Sequence, residues 1–198
     1  IEEVSKAIGM DSRIGSSFLK TSVGFGGSCF QKDILNLIYI AGYYGLHEVS
    51  SYWSSIIKLN NWQQTRISQI IVQNLFGTVS GKKIAILGFA FKANTNDTRE
   101  SPAIRICKNL IEEGAQLNIY DPQVDPKQIS QDLDYEELQN DGIGECRWFH
   151  ADSIYEASMD ADAIVVLTEW EEFKYIDWEK LILIMRQPSW IFDTRNIT

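Results

Sequence analysis

A thiol and a carboxylate stand four residues apart in Val23-Gly24-Phe25-Gly26-Gly27-Ser28-Cys29-Phe30-Gln31-Lys32-Asp33. The three glycines permit a backbone path closed to other residues. Ser28 suits the N-cap of the apolar-periodic helix that follows through Ile34, Leu37, Ile38 and Ala41, which makes Cys29 the first helical residue. Lys32 and Asp33 then follow at i+3 and i+4, so the three side chains share one helical face. The positive end of the helix and the Lys32 ammonium favour a thiolate, the nucleophilic form of cysteine. Asp33 could position or deprotonate a water beside whatever Cys29 holds covalently, although its charge opposes the thiolate. The same residues fit a small buried cysteine beside an exposed Lys-Asp pair, and spacing alone leaves both readings open. No histidine lies nearby in sequence, so a Cys-His hydrolase has little support, and His47 and His150 read as structural or surface residues.

A second constellation is Phe91-Lys92-Ala93-Asn94-Thr95-Asn96-Asp97-Thr98-Arg99-Glu100-Ser101-Pro102. Lys92 suits a phosphate or sugar oxygen as a point charge, Arg99 can fork onto a carboxylate, phosphate or carbonyl, and Ser101-Pro102 opens a helix in the favoured Ncap–N1 order. A solvated loop with Arg99 paired to Asp97 or Glu100 fits as well. Just upstream, Gly88, Ala90 and Ala93 fill the three positions of a G-x-G-x-x-G fingerprint, a degenerate dinucleotide turn. Its bulk and its lysine point to a nucleotide site that uses side chains in place of close backbone approach to a pyrophosphate. Asp121 stands where a dinucleotide fold places its ribose acid, but before Pro122 it is as easily a turn residue.

Two textures meet near residues 77–81 and must position these groups. Before that point, apolar residues at spacings of three and four, among them Trp53, Ile56, Ile57, Ile67, Ile70, Ile71 and Leu75, predict one helix over about 50–76. At 1.5 Å per residue such a helix is ~40 Å long, which suits a join between domains or a subunit interface; an ordinary core helix of a bundle is the other reading. After Gly81 the pattern predicts strands at 83–87, 116–120, 146–149, 163–167 and 190–192. Helices fall at 101–113, 126–131, 154–158 and 178–185. Five short apolar strands with crossovers imply a parallel, doubly wound sheet that binds ligands beyond the strands' carboxyl ends.

Composition narrows the partners. Of 198 residues, 18 are Lys or Arg and 27 Asp or Glu, a net charge of −9, which excludes a general electrostatic grip on nucleic acid or an anionic membrane. No apolar run approaches the ~18–20 residues of a membrane span, and the first residues form no signal peptide, so the expectation is a soluble, cytoplasmic chain. Three separated cysteines and two histidines make a disulfide framework or a metal site improbable. The missing initial Met suggests a piece of a longer protein.

Taken in order, Ser12-Arg13-Ile14-Gly15, Phe18-Leu19-Lys20, the 24–33 segment, Gly88-Phe89-Ala90-Phe91-Lys92, Asp97-Thr98-Arg99-Glu100-Ser101, Tyr120-Asp121-Pro122, Thr168-Glu169-Trp170 and Phe192-Asp193-Thr194-Arg195 resemble the nucleotide-sugar dehydrogenases. These enzymes oxidise C6 of UDP- or GDP-sugars. The likeness runs along essentially the whole chain and is closest to the UDP-glucose branch through 23–33; GDP-mannose and UDP-N-acetyl-sugar relatives remain alternatives. The resemblance implies oxidation of UDP-glucose in two NAD-dependent steps without a metal, through a thiohemiacetal and then a thioester on Cys29, with Asp33 handling the hydrolytic water. It matches Lys20, Thr21, Ser22, Val23, Gly24, Phe25 and Gly26, together with Phe91, Lys92 and Arg195, to substrate contacts. Arg13 matches an arginine that reaches the substrate of a neighbouring subunit, and Cys29, Lys32 and Arg99 match positions facing NAD. Cys107 and Cys146 match no functional position and read as packing residues.

The family's N-terminal NAD domain and its catalytic lysine, asparagine and glutamate are not in this sequence, so turnover by this chain alone is not expected. The resemblance implies an all-α central dimerisation region at 1–79, which carries Cys29 and the long helix, and a Rossmann-like UDP-sugar domain at 80–198. It also implies a homodimer or higher homo-oligomer. With three glycines the 24–27 loop should pack little and move. Two other readings stand beside this one: a non-catalytic nucleotide-sugar-binding or oligomer-forming module, and a thiol-dependent redox or acyl-transfer protein using Cys29 with Asp33.

Overall fold

Alternating apolar strands and amphipathic helices after Gly81 assemble one five-stranded sheet. A computed structural model describes residues 1–135 and 147–197. Strands β1 (Lys83–Leu87), β2 (Gln116–Tyr120), β3 (Trp148–His150), β4 (Ala163–Val166) and β5 (Trp190–Asp193) are all parallel, in the order β3-β2-β1-β4-β5. The central strand β1 buries Ile84, Ala85, Ile86 and Leu87 completely, as a strand covered on both faces must. Helix α4 (Pro102–Glu112) packs against α5 (Pro126–Leu133), and α6 (Ile154–Ser158) against α7 (Trp178–Ile184), the two helical layers of a doubly wound sheet. Strand order reverses between β1 and β4, so their carboxyl ends open the crevice in which such sheets bind ligands.

Strands β1 and β2 and helix α6 coincide with the sequence expectation, and the ends of β4, β5, α4, α5 and α7 lie within two residues of it. Strand β3 is described from Trp148 to His150, while Cys146 lies outside the described residues. Periodicity missed α1 (Glu2–Gly9), which buries no residue, and a 3₁₀ helix at Glu171–Tyr175.

Ahead of the sheet, α2 (Phe30–Tyr43) and α3 (His47–Asn74) form a helical hairpin around Gly45, whose φ of 72° makes the tight turn. Helix α3 starts three residues before the expected position and stops before Phe76. Phe76 (φ 65°) and Gly77 (φ 80°) are left-handed, and Gly77 N–H closes back onto Val72 O at 3.0 Å. Its buried face consists of Asn60, Gln64, Ser68 and Ile71. Ile71, Leu75 and Val79 share one hydrophobic core with β1, β2 and β4, and Asn109 Nδ2 of α4 donates to Ser68 Oγ at 3.2 Å. The helix is therefore no free strut: its first half packs on α2 and its second half on the sheet domain. The expected buried stripe of α2 is only half covered, with Ile34 and Ala41 buried but Leu37 43% exposed. Tyr39, Ile40, Tyr43, Tyr52, Leu59 and Trp62 are exposed on the same hairpin.

Among the described residues, no helix is long and apolar enough to cross a membrane. Because Ile71 bridges α3 and the sheet core, Ile71→Ala should lower the unfolding free energy by about 2–5 kcal/mol. Leu183→Ala, at an exposed position on α7, should change it by less than about 0.5 kcal/mol. Urea denaturation of both variants checks the contrast.

Candidate functional site

Two loops meet in front of α2. Cys29 is the N-cap of α2 and not its first helical residue, and Ser28 does not cap it: Ser28 Oγ lies 3.6 Å from Cys29 Sγ. The helix starts one residue late because Gly27, left-handed at φ 88°, donates its N–H to Arg99 O at 2.8 Å, and Ser28 and Cys29 carry the chain from there into the helix. Cys29 is exposed, which removes the buried-cysteine reading for it. That reading holds for Cys107, wholly enclosed in α4, where burial pushes the thiol's pKa up and leaves it inert. Asp33 N–H donates to Cys29 O at 2.9 Å, so Lys32 and Asp33 lie one turn along α2, both exposed.

Contrary to the expected lack of packing, the 24–27 segment is tied at every glycine. A Cβ on Gly24 would lie 2.7 Å from Asn60 Oδ1, one on Gly26 would collide with Glu100 O, and one on Gly27 would come within 2.9 Å of the Phe91 ring. Asn60 holds Phe25 by two hydrogen bonds, from Phe25 N–H to Oδ1 at 2.9 Å and from Nδ2 to Phe25 O at 3.1 Å. Ser22 Oγ accepts from Gly24 N–H at 3.1 Å. Val23 is 1% exposed and belongs to the core, so only its backbone is available to a ligand. Thr21 is half-buried.

On the facing loop, Arg99 forks onto Asp97 through Nε at 2.9 Å and Nη2 at 2.7 Å, while Gln31 Nε2 takes Glu100 at 2.8 Å. Hydrogen bonding to Arg99 holds the Asp97 carboxyl below its usual range, and Asp97 raises Arg99 in turn, with a smaller contribution from the charge of Cys29. A surface pair of this kind contributes little to stability and exchanges readily for a ligand. Lys92 is exposed, its Nζ 5.4 Å from the centre of the half-buried Phe91 ring.

Asp121 decides what the degenerate glycine turn can do. Its Oδ2 accepts from Phe89 N–H at 2.7 Å, Ala90 N–H at 3.0 Å and Trp170 Nε1 at 3.1 Å, and its Oδ1 from Gln123 and Val124 N–H at 3.0 and 3.1 Å. The ribose-acid reading of Asp121 therefore falls and the turn reading stands, because a carboxylate with five internal donors has little left for a ribose. A dinucleotide turn needs free backbone N–H groups to cradle pyrophosphate. Here both are taken by a carboxylate, so the turn does not fit a dinucleotide's pyrophosphate. The exposed cations Lys32, one turn along α2 from Cys29, and Arg99 carry the charge that a phosphate needs. Ser101 Oγ and Thr168 Oγ1 donate to Phe89 O and Ala90 O, each at 2.7 Å, and fix the same turn from α4 and β4.

The remaining predicted residues lie on other segments. Arg195, after β5, is 10% exposed and ion-paired with Glu169; burial lowers its pKa and Glu169 opposes the shift. Arg13 is 86% exposed and held by Asp11 at 2.6 Å. Lys20 is exposed, and its charge reaches Glu171 in the 3₁₀ helix, whose carboxyl Lys174, then Tyr175 and least of all Lys20 hold low.

Residues 85–198 match the UDP binding domain of the UDP-glucose/GDP-mannose dehydrogenase family, and residues 1–62 match that family's central domain. The chain belongs to this family. All of it aligns at 51% identity with UDP-glucose 6-dehydrogenase 4 of Arabidopsis thaliana and with UDP-glucose 6-dehydrogenase of Drosophila melanogaster, covering 43% and 42% of those proteins. The chain thus spans less than half the length of these curated relatives. A UDP-glucose dehydrogenase structure from Pyrobaculum islandicum has the same fold over 99% of this chain and 40% of its own, with a TM-score of 0.77 at 24% identity. A UDP-D-ManNAc dehydrogenase from Pyrococcus horikoshii covers all of the chain and 40% of its own, with a TM-score of 0.71 at 26% identity.

Within this family member, sequence reasoning missed Asn60, the pairing of Glu169 with Arg195, and the use of Ser101 and Thr168 to fix the turn. A buried polar residue on the inner stripe of a long helix was the available signal for Asn60. Asp121→Ala leaves four backbone N–H groups and an indole N–H without their acceptor, and should lower stability by about 3 kcal/mol or more in urea unfolding. Tyr120 offers a pH test, since burial and then its hydrogen bond to Glu172 push its phenol up to about 12. The stabilisation this represents is complete below the usual tyrosine value near 10 and is lost as pH rises toward 12. In Tyr120→Phe that alkaline loss should shrink, as read by unfolding curves between those pH values.

Proposed function

We propose that this chain is the central and UDP-binding part of a cytoplasmic UDP-glucose 6-dehydrogenase that converts UDP-glucose to UDP-glucuronate, with the boundary between its two regions near residues 79–80. The observation that carries the reading is the exposed thiol of Cys29, set where the 24–27 and 91–101 loops touch, with Asp33 one turn along the same helix and the other described cysteine sealed in the core.

The Cys29 thiolate adds to the C6 aldehyde and, with a proton from solvent, gives a thiohemiacetal; its hydroxyl proton returns to solvent as the C6–H leaves as hydride to the acceptor that NAD would supply, so that a thioester remains. Asp33 takes a proton from the water that attacks this thioester, the C–S bond breaks, and carboxylate and thiol are released. NAD, when bound, supplies the hydride acceptor for both oxidations, and Lys32 and Arg99 are the residues of this chain offered to it beside Cys29. The 20–26 segment holds the sugar, with Val23 serving through its backbone alone, while Phe91, Lys92 and Arg195 hold the nucleotide-sugar from the sheet side. Arg99 and Arg195 reach a ligand anion by giving up Asp97 and Glu169, and Arg13 serves the site of a second subunit. The apolar side chains exposed on α2 and α3 support pairing of subunits through that hairpin.

In a chain of the relatives' full length, Cys29→Ser should reduce glucuronate formation to below about a hundredth of wild type, since nucleophile and water-activating group act as a unit. A normal rate overturns the covalent route. In calorimetric titration of the 198-residue chain, UDP-glucose binding that is lost with Lys92→Ala and is absent for GDP-mannose supports the substrate assignment. Binding of GDP-mannose in its place transfers the reading to that branch.

A further inference from the structure

Asn60 sits in the middle of α3, 6% exposed, where neither packing nor helix propensity favours it. Its amide behaves as a peptide unit of a neighbouring strand would: it accepts from Phe25 N–H at 2.9 Å and donates to Phe25 O at 3.1 Å. That approach is open only because residue 24 is a glycine at φ 134°, since a Cβ there would lie 2.7 Å from Oδ1. Gln64, one turn further along the same face, would lie 3.3 Å from the same Cβ. The Phe25 ring then meets the Phe30 ring edge-on, with centroids 4.8 Å apart, and Phe30 is the first residue of α2, directly after Cys29. A continuous series of contacts therefore runs from Asn60 through Phe25 and Phe30 to the backbone that carries the thiol.

We infer that Asn60 is a positioning residue for Cys29: its side-chain amide fixes the path of the 24–27 segment and, through Phe25 on Phe30, the direction in which α2 presents the thiol. The inference rests on the function proposed above for its kinetic consequence, but not for its structural one. The hydrogen-bond pattern makes a specific demand. Oδ1 must accept and the second atom must donate, which an amide does at every pH, a carboxylate never does, and a protonated carboxyl does again.

Asn60→Asp tests this demand with two readouts. In the full-length dehydrogenase, kcat relative to wild type should fall about tenfold at pH 8, in keeping with the steep cost of sub-ångström misplacement. It should recover to within about twofold toward pH 5, because burial beside the Phe25 carbonyl raises the new carboxyl well above its usual range so that it is protonated there, while KM for UDP-glucose changes far less. In the 198-residue chain, carbamidomethylation of Cys29 by iodoacetamide, read by peptide mapping as the ratio to wild type, should depart from unity at pH 8 and return at pH 5. Asn60→Leu, which can neither accept nor donate, should depart at both pH values. Equal ratios for Asn60→Asp at the two pH values, in either direction, overturn the inference. Where Asn60→Asp does not fold, Gly24→Ala leaves α3 intact and displaces the amide from the loop side. A departure of the Cys29 alkylation ratio from unity in that variant supports the inference, and an unchanged ratio overturns it. Should wild type make no glucuronate while the alkylation ratios follow the pattern, the positioning role stands and the proposed activity falls.

Discussion

The carboxylate of Asp121 is the interaction on which the ligand-facing end of the sheet depends. Nearly buried at the end of β2, it gathers the N–H groups of Phe89 and Ala90 after β1, of Gln123 and Val124 ahead of α5, and of the Trp170 indole after β4. Three loops from three adjacent strands converge on one anion. With the N–H groups spent inside, the complementary carbonyls are closed by Ser101 and Thr168, so the turn that leads into Phe91 and Lys92 has almost no freedom left in its backbone. Under the proposed function, a nucleotide at this end of the sheet meets side chains from the 91–101 loop and not a ring of free amides, which separates this crevice physically from a dinucleotide cradle of the same topology.

Helix α3 carries that order to the thiol. Its inner face changes along its length: Asn60 and Gln64 hold the glycine loop, Ser68 meets α4, and Ile71 enters the sheet core. Apolar contacts anchor one end and directional hydrogen bonds work at the other. Burial gives a helix affinity for a surface but little registry, whereas paired hydrogen bonds to a single residue define a path to within a fraction of an ångström. The two ends of α3 thereby couple where the sheet sits to where Cys29 points, and the bond from Gly27 N–H to Arg99 O closes the circuit from the other side.

Periodicity and turn chemistry made the local part of this legible. The β1–α4–β2 unit, the Ser101-Pro102 helix start, and the thiol one turn from a carboxylate all depend on neighbours in sequence, and each lies within a residue of its expected position. What stayed hidden depends on distant partners. The late start of α2 follows from a hydrogen bond between residues 72 positions apart, Gly27 and Arg99. Asn60 acts on a residue 35 positions away. The two meanings of Asp121 could not be separated until the donors around it were known. Three glycines suggested slack by composition, yet in this fold each is the point at which another element comes too close for a Cβ.

Backbone and charge are treated oppositely around Cys29. The main chain is held by buried bonds, at Phe25 by an amide and at Ala90 by a carboxylate and a hydroxyl. The exposed cations Arg13 and Arg99 rest on half-buried aspartates two residues away in sequence, and Lys32 and Lys92 lie in solvent. Local pairs of that kind are formed at small net gain because water competes for both partners. An anionic ligand can take them over without unfolding anything. Arg195 is the exception, since its ion pair with Glu169 is mostly buried and one guanidinium nitrogen, Nε, lacks a hydrogen-bond partner. Breaking that pair leaves Glu169 partly buried without its counter-charge, so under the proposed substrate role Arg195 gains only from a ligand that satisfies the guanidinium as fully as the carboxylate it displaces.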